Sequence, residues 1–292
     1  MSTPTTPNRH FKQVDVFTAT PYLGNPLAVV LDGTGLSTDQ MQRFTDWTNL
    51  SEATFLLPPE HADADYKVRI FCPGRELPFA GHPTLGSCHA WLQAGGQPKH
   101  PGHIIQECGV GLVKLRQSQG PHGQRLAFAA PPLVRSGPLP EADVALIARG
   151  LGIPRSNILH HAWCHNGPQW RGVMLASSEQ VLALKPDGNI LAGLDVGVVG
   201  PRGKVGVLGA RPDGDGCAFE IRAFFHVIDG GVKEDPVTGS LNAGVAQWLI
   251  GAGLAPSSYV ASQGTAMGRA GRVHVEQVGT DIWIEIGRAS CR

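Results

Sequence analysis

Two similar stretches of the chain carry polar side chains that could do acid/base chemistry. The first, residues 81–96, begins GHPTLGS, and the second, residues 234–253, begins EDPVTGS. Their polar side chains are His82 in the first, and Asp235 and Ser240 in the second. Each stretch turns into an apolar run, and a helix starting there leaves backbone N–H groups free to bind an anion. Two such helix starts, facing each other, could hold a carboxylate and stabilise the enolate-like charge left by deprotonation of a C–H bond.

Glu52 is the candidate general acid/base. It lies between a predicted helix that contains Met41, Phe44 and Trp47 and the apolar strand predicted in SEATFLLP. A solvated turn carboxylate is the ordinary alternative, because Glu is seldom fully buried unless paired. Apolar neighbours on both sides favour partial burial, which would raise the pKa of the carboxyl towards neutrality and suit proton transfer.

The two stretches belong to a longer internal repeat. Arg69 precedes the first stretch and Arg222 the second, 153 residues later, while Thr84 and Thr238 lie 154 residues apart. Landmarks that drift by a single residue indicate a duplicated domain. The repeat therefore predicts two halves joined by a short connection.

The length agrees with this duplication, since 292 residues accommodate two domains of ordinary size. We predict an N-terminal half over residues 1–130 and a C-terminal half over residues 131–292. Among the elements, we predict helices over residues 87–93, 141–149 (ended by Gly150) and 241–250, and a strand over residues 205–208. Residues 286–292 do not continue a strand pattern and could be non-native.

Composition excludes several classes of function. Apolar residues make up 42 % of the chain and charged residues 16 %, as expected of a globular protein with a large core. Lys and Arg (24) balance Asp and Glu (24), so nucleic acid is a poor candidate partner. No apolar run reaches the length of a membrane helix. Six scattered cysteines without metal-ligand spacing indicate reduced thiols, a cytoplasmic location and no metal site.

Other chemistry is less well supported. His82, Asp235 and Ser240 could suggest a hydrolase triad, but Ser240 has no GxSxG elbow and shares one turn with Asp235. The glycine-rich run over residues 263–269 could suggest a phosphate loop, but it contains neither GKS nor GKT. Each polar residue taken alone also has a plain reading as turn or helix-start chemistry.

Several segments, in their order along the chain, resemble those of the phenazine-biosynthesis PhzF-like family. They are VDVFTATPYLGNPLAVV, SEATFLLP, GHPTLGS, HNGPQW, EDPVTGSLNAG and QGTAMGRAGRV. The resemblance implies an α+β fold of the diaminopimelate epimerase type. In that fold two pseudo-symmetric domains, each a curved barrel-like mixed sheet around one central helix, flank the active site. It also implies a homodimer that uses no metal or cofactor.

The resemblance also implies roles for individual residues. Glu52, His82, Asp235 and Ser240 match the family's catalytic positions, and we predict that Ser51, Gly81, Thr238 and Gly239 bind a small carboxylate substrate. Related epimerases use two cysteines at the helix starts, and this chain has none there. The family also continues with a final strand past the end of this chain.

The leading hypothesis is therefore a cofactor-independent isomerase in which Glu52 moves a proton between carbons of the substrate. One alternative is an epimerase or racemase of an amino-acid derivative that uses carboxylates in place of thiols. The other is a protein that binds a metabolite without altering it.

Overall fold

A computed structural model of the protein describes residues 8–120, 123–203, 216–227, 231–286 and 290–291. The strands are β1 (Phe11–Val16), β2 (Asn25–Val30), β3 (Ala53–Leu57), β4 (Tyr66–Cys72), β5 (Arg75–Leu77), β6 (His103–Cys108), β7 (Gly111–Gly120), β8 (Gly123–Ala129), β9 (His160–Trp163), β10 (Trp170–Met174), β11 (Asp195–Pro201), β12 (Phe219–His226), β13 (Val232–Asp235), β14 (Ser258–Gln263), β15 (Gly271–Val278), β16 (Asp281–Ile286) and β17 (Ser290–Cys291). The helices are α1 (Thr38–Thr48), α2 (Gly81–Gln93), α3 (Glu141–Leu151), α4 (Ser178–Leu182) and α5 (Gly239–Gly251), with 3₁₀ turns at Arg155–Asn157 and Thr265–Met267.

One order of strand pairing occurs twice. In the first half β1 pairs with β2, β2 runs parallel to β3, β4 pairs with β3 and β5 and runs parallel to β6, and β7 lies between β6 and β8. Strands β9 to β16 repeat this pattern, with β10–β11 and β12–β14 as the parallel pairs. Strands β8 and β16 pair with each other and join the two patterns into one mixed sheet. The pairing pattern agrees with a duplication, and a boundary near residue 130 stays a prediction.

Each half encloses one apolar helix. Helix α2 packs against β1, β2 and β3 at one end of its half and against β8 at the other, so the sheet must curve round it. Helix α5 packs in the same way against β10, β15 and β16. Neither helix has a polar side facing solvent over its first three turns, because nearly every residue there is buried. The fold is thus α+β with one central helix in each half, as the resemblance implied.

Both central helices begin earlier than the sequence pattern predicted. Helix α2 starts at Gly81 and α5 at Gly239, rather than at residues 87 and 241. The first turn of each contains small or polar residues with no amphipathic signal, and tertiary burial rather than hydrophobic periodicity makes it helical. His82 and Ser240 therefore lie in the first turns of the helices and not in preceding loops.

The register of the repeat also differs from the predicted one. Bidentate ion pairs join Arg69 to Glu76 in one half and Arg222 to Glu234 in the other. These pairs align ELPFAGH with EDPVTGS, so that Gly81 matches Gly239 and lies 158 residues before it. The prediction that Thr84 matches Thr238 was wrong by one helical turn, since the β12–β13 connection is longer than the β4–β5 connection.

The structure corrects two further predictions, on the end of α3 and on residues 286–292, and does not describe the third, the strand over residues 205–208. Gly150 does not end α3, which continues to Leu151, and Gly152 in the left-handed conformation caps it. Part of the segment 286–292 joins the sheet, contrary to expectation, since Ser290 and Cys291 pair with β1. The predicted strand over residues 205–208 lies outside the described residues.

Candidate active site

The N-termini of α2 and α5 meet head to head at two glycines. A Cβ atom on Gly81 would lie 2.8 Å from the backbone of Gly239, and one on Gly239 would lie 2.9 Å from the Cα atom of Gly81. Real Cβ atoms do not approach backbone so closely, and only glycine allows this contact. The contact fixes the distance between the two helix starts and hence between the side chains that follow them.

A cavity of about 190 Å³ lies beside this contact, between the two halves. Five of the residues predicted from the sequence line it: Ser51, Glu52, Asp235, Thr238 and Ser240. The other three lie behind its wall: Gly81 and Gly239 at the helix contact, and His82 with 2 % of its surface exposed. The structure thus brings all eight together, in two layers.

Glu52 lies on the cavity wall directly before β3. Only 14 % of its side chain is exposed, and its Oε2 atom has no hydrogen-bond partner among the described residues. Burial raises the pKa of this carboxyl well above its usual value, and the negative charge of Asp235 raises it further. Glu52 is therefore a carboxyl that takes up a proton readily and has no hydrogen bond at Oε2 to give up in doing so.

Asp235 is held by three donors. Its Oδ1 atom accepts from Asn25 Nδ2 at 2.9 Å and from Ser51 Oγ at 3.4 Å, and its Oδ2 atom accepts from Thr238 Oγ1 at 2.5 Å. Burial raises the pKa of Asp235 to about 6, and these hydrogen bonds limit the rise because they favour the charged form. The group can thus exist in either protonation state near neutral pH.

His82 lies behind the Glu52 carboxyl and next to the Asn25 amide. Its Nδ1 atom lies 3.4 Å from both Glu52 Oε2 and Asn25 Nδ2. Burial lowers the pKa of the imidazole to about 3, with the backbone of Pro26 opposing the shift. His82 is therefore neutral near neutral pH, and its Nδ1 lone pair can accept the proton of a protonated Glu52.

This burial should make the protein sensitive to acid. Since the folded pKa of His82 is lower than the unfolded value, its contribution to stability is present above pH 6.5 and is lost as pH falls towards 3. Between pH 7 and pH 4, we expect the unfolding free energy of His82→Gln to fall by roughly 3 kcal/mol less than that of the wild type. Urea unfolding at a series of pH values measures it, with the exposed His10→Gln as control. Parallel curves for wild type and His82→Gln would contradict the neutral assignment.

Ser240 is positioned by residues of the second half. Trp170 Nε1 donates to Ser240 Oγ at 3.0 Å, and Asn166 Nδ2 donates to the Ser240 carbonyl at 2.8 Å. Because an indole N–H only donates, the Ser240 hydroxyl keeps its own proton for another acceptor. Ser240 can therefore donate a hydrogen bond to an oxygen in the cavity.

Comparison with known protein families matches most of the chain to one family. The family model described as PhzC-PhzF, phenazine biosynthesis-like protein, matches residues 14–283. The chain belongs to this family. Among the described residues, no cluster of three or more His, Cys, Asp or Glu side chains could hold a metal ion. No helix in the described ranges is long and apolar enough to cross a membrane.

Two curated proteins and one solved structure illustrate what the chain is similar to. Antisense-enhancing sequence 1 of Schizosaccharomyces pombe is 35 % identical, over 89 % of this chain and 87 % of that protein. The trans-2,3-dihydro-3-hydroxyanthranilate isomerase of Pseudomonas chlororaphis is 34 % identical, over 63 % of each chain. A solved structure, the predicted epimerase PA4716 of Pseudomonas aeruginosa, covers 98 % of this chain and 97 % of its own at 24 % identity, with a TM-score of 0.76. That likeness supports the diaminopimelate epimerase-like fold of the PhzC-PhzF chain.

Reasoning from the sequence missed three residues that shape this PhzC-PhzF site. Asn25 is fully buried and donates to both Asp235 and the Val237 carbonyl. Trp170 orients Ser240, and Gln263 bonds both Thr238 and the Asp235 carbonyl. All three lie in segments that carried the family resemblance, namely GNP, HNGPQW and QGTAMG. The available signal was a side chain able to form hydrogen bonds within each of these segments.

Proposed function

We propose that this protein is an isomerase that moves a proton between two carbons of a small carboxylate substrate by general acid/base catalysis, without a cofactor. One observation carries the proposal: Glu52, on the cavity wall, combines a raised carboxyl pKa with an oxygen that has no hydrogen-bond partner among the described residues, the neutral His82 lying 3.4 Å from it. A raised carboxyl pKa near the working pH is what proton transfer from carbon requires. Membership of a family whose named members include isomerases supports the same reaction class.

The proposed reaction needs one proton and no other reagent. Ionised Glu52 takes a proton from a carbon activated by a neighbouring unsaturated or carbonyl group, which leaves a delocalised anion on the substrate. Ser240 donates a hydrogen bond to the oxygen where that charge collects, since its hydroxyl proton is free. Protonated Glu52 then returns the proton to a different carbon, and the enzyme regains its starting state.

Asp235 and His82 adjust the protonation of Glu52. Asp235, with its pKa raised to about 6, can bind a polar substituent of the substrate as donor or acceptor. Its charge also raises the pKa of Glu52, so the two groups titrate as a linked pair. His82 Nδ1 lies 3.4 Å from Glu52 Oε2 and can accept a hydrogen bond from the protonated carboxyl. Because the imidazole is neutral, it adds no charge that would lower the pKa of Glu52.

Proton-exchange NMR tests this function directly. Purified protein is incubated in D₂O with trans-2,3-dihydro-3-hydroxyanthranilate, the compound named for its relatives, and with related small carboxylates. We expect a shifted double bond in the product. We also expect the rate to rise with pH through a midpoint well above 4.5, because Glu52 acts as base only when ionised. Binding of such compounds without exchange or turnover at high protein concentration would instead indicate a metabolite-binding protein.

A second candidate reaction is epimerisation or racemisation. The observation in its favour is a second carboxyl in the same cavity, Asp235, with a raised pKa. Two acid/base groups on one stereocentre would return both configurations and incorporate solvent deuterium at that carbon. Recovery of one displaced double bond without loss of configuration elsewhere would exclude this reaction. The homodimer implied by the resemblance and the cytoplasmic location indicated by the cysteines stay predictions.

A further inference from the structure

Glu52 has a counterpart in the second half, Asp195, on the wall of the same cavity. Glu52 lies directly before the β3 residue that pairs with Phe71, and Asp195 lies directly before the β11 residue that pairs with Phe224. Phe71 and Phe224 are 153 residues apart, the same offset that separates the two arginines of the repeat. Both halves therefore carry a carboxyl at the same point of the fold.

The two carboxyls differ in what lies next to them. Pro73 and His226 are equivalent in the repeat, since they too are 153 residues apart, and both line the cavity. The proline ring has no polar group, so the position gives Glu52 no partner. In the second half, the imidazole of His226 takes this position and contacts Asp195. The second half thus presents an imidazole to the cavity where the first half presents a carboxyl.

Asp195 fixes the orientation of this imidazole. The Asp195 side chain is 7 % exposed, and its Oδ1 atom lies 2.8 Å from Nδ1 of His226 and accepts from the backbone N–H of His226 at 3.3 Å. Because the same oxygen accepts from the backbone, Nδ1 is the donor of the side-chain contact. In the neutral imidazole, Nε2 then carries a lone pair and can only accept a hydrogen bond. The His226 side chain is 30 % exposed, which leaves this acceptor open to a ligand.

The strand ladder places the acceptor away from the helix starts. Asp235 pairs with Ala223, and His226 lies three residues further along β12. Three residues of a strand span about 10 Å. Thr238 and Ser240 line the cavity in the other direction from Asp235, where the sequence predicted the substrate carboxylate. A substrate held there by its carboxylate would therefore extend its far end towards His226.

We propose that Nε2 of His226 accepts a hydrogen bond from an O–H or N–H group of the substrate, at the end remote from its carboxylate, with Asp195 as the residue that positions the ring. Arg75 and Lys233 also line the cavity, but these cations only donate and cannot recognise such a hydrogen. His226 thus selects small carboxylates that carry a hydroxyl or amino group. This inference rests on the proposed function, because it assigns part of the recognition in the same site.

Binding of simple ring probes tests the assignment without turnover. Calorimetric titration at pH 8, where histidine side chains are ordinarily neutral, compares 3- and 4-hydroxybenzoate with 3- and 4-fluorobenzoate. Fluorine is close to a hydroxyl group in size but has no hydrogen to donate. We expect the wild type to bind the better-placed hydroxybenzoate about fivefold or more tightly than its fluoro counterpart, as a hydrogen bond of ordinary net strength allows.

Substitutions on the cavity wall assign this preference to one residue. His226→Phe keeps a ring but removes the acceptor, and it should abolish the preference for the hydroxyl group. Lys233→Gln, a change at another residue of the wall, should keep it. Because His226→Phe leaves the Asp195 carboxyl buried without its partner, Asp195→Ala/His226→Phe repeats the measurement without that carboxyl.

The positioning role of Asp195 has its own readout. Asp195→Ala should reduce the preference for hydroxybenzoate while leaving the affinity for fluorobenzoate unchanged. Asp195→Asn keeps an oxygen that can accept from Nδ1 of His226, and it should restore part of the preference. A merely structural role would weaken the binding of both probes equally and would show no rescue.

Two outcomes would overturn the assignment. One is a wild type that does not distinguish hydroxybenzoate from fluorobenzoate at either ring position. The other is a preference that survives in both His226→Phe and Asp195→Ala/His226→Phe, which would assign the hydroxyl group to another acceptor of the cavity. A preference that depends on His226, in a protein that turns over no substrate, would support the binding role and contradict the proposed isomerase. Turnover without the preference would do the reverse.

Discussion

Replacing Glu52 by Gln should lower turnover about 10²–10⁴-fold, the usual contribution of general acid/base catalysis. The amide keeps the size of the carboxyl but cannot take a proton from carbon. The kcat of both proteins on the substrate found by proton-exchange NMR measures the effect. Glu179→Gln, the same change at an exposed position, serves as control. Turnover within about tenfold of wild type would mean that Glu52 is not the base.

The same variant should be more stable than the wild type at neutral pH. The folded pKa of Glu52 is raised above its unfolded value, so its contribution to stability is present at low pH and is lost as pH rises through the folded pKa. Gln carries no charge and does not incur this loss. Lower activity together with a higher unfolding free energy at pH 7 to 8 would separate a catalytic effect from misfolding. A variant that is both inactive and unstable would show that the carboxylate holds the fold.

The glycine contact between the central helices should be the most sensitive point of the fold. Gly239→Ala places a Cβ atom within 3.0 Å of the Gly81 backbone, which cannot move without shifting α2. We expect a loss of about 1–3 kcal/mol or more in unfolding free energy, as overpacking of a buried contact produces. Urea unfolding measures the change, and the m-value checks that the transition stays two-state.

Helix α5 supplies its own control for this substitution. Gly251 is the last residue of the helix, and a Cβ atom there would have no neighbour within 4 Å. Gly251→Ala should therefore be neutral or stabilising by about 0.5–1 kcal/mol, because Ala loses less backbone entropy than Gly in a helix. Equal effects of the two alanines would mean that helix propensity, and not the contact with Gly81, governs Gly239.

The sequence by itself determined the types of the candidate catalytic residues and their order along the chain. Glu52, Asp235 and Ser240 could be singled out because each lies in a short segment with a distinctive local pattern, and all three line one cavity. The central apolar helices also followed, since a run of small and apolar residues is visible without coordinates, and the α+β class followed from the family resemblance. These features depend on neighbours in sequence, and local patterns report on such neighbours.

Only the tertiary structure decided how the two halves correspond and which side chains meet. The two hairpins differ in length, so the sequence spacing did not show that Gly81 is equivalent to Gly239 in the repeat. The ion pairs Arg69–Glu76 and Arg222–Glu234, which occupy equivalent positions in the two halves, established this equivalence. Asn25 meets Asp235 across 210 residues of chain, and Trp170 meets Ser240 across 70. His82 lies behind the cavity wall and not on it. Such contacts join residues far apart in sequence through the packing of separate elements, so no local pattern encodes them. The burial that shifts the pKa values of the site arises from the same packing.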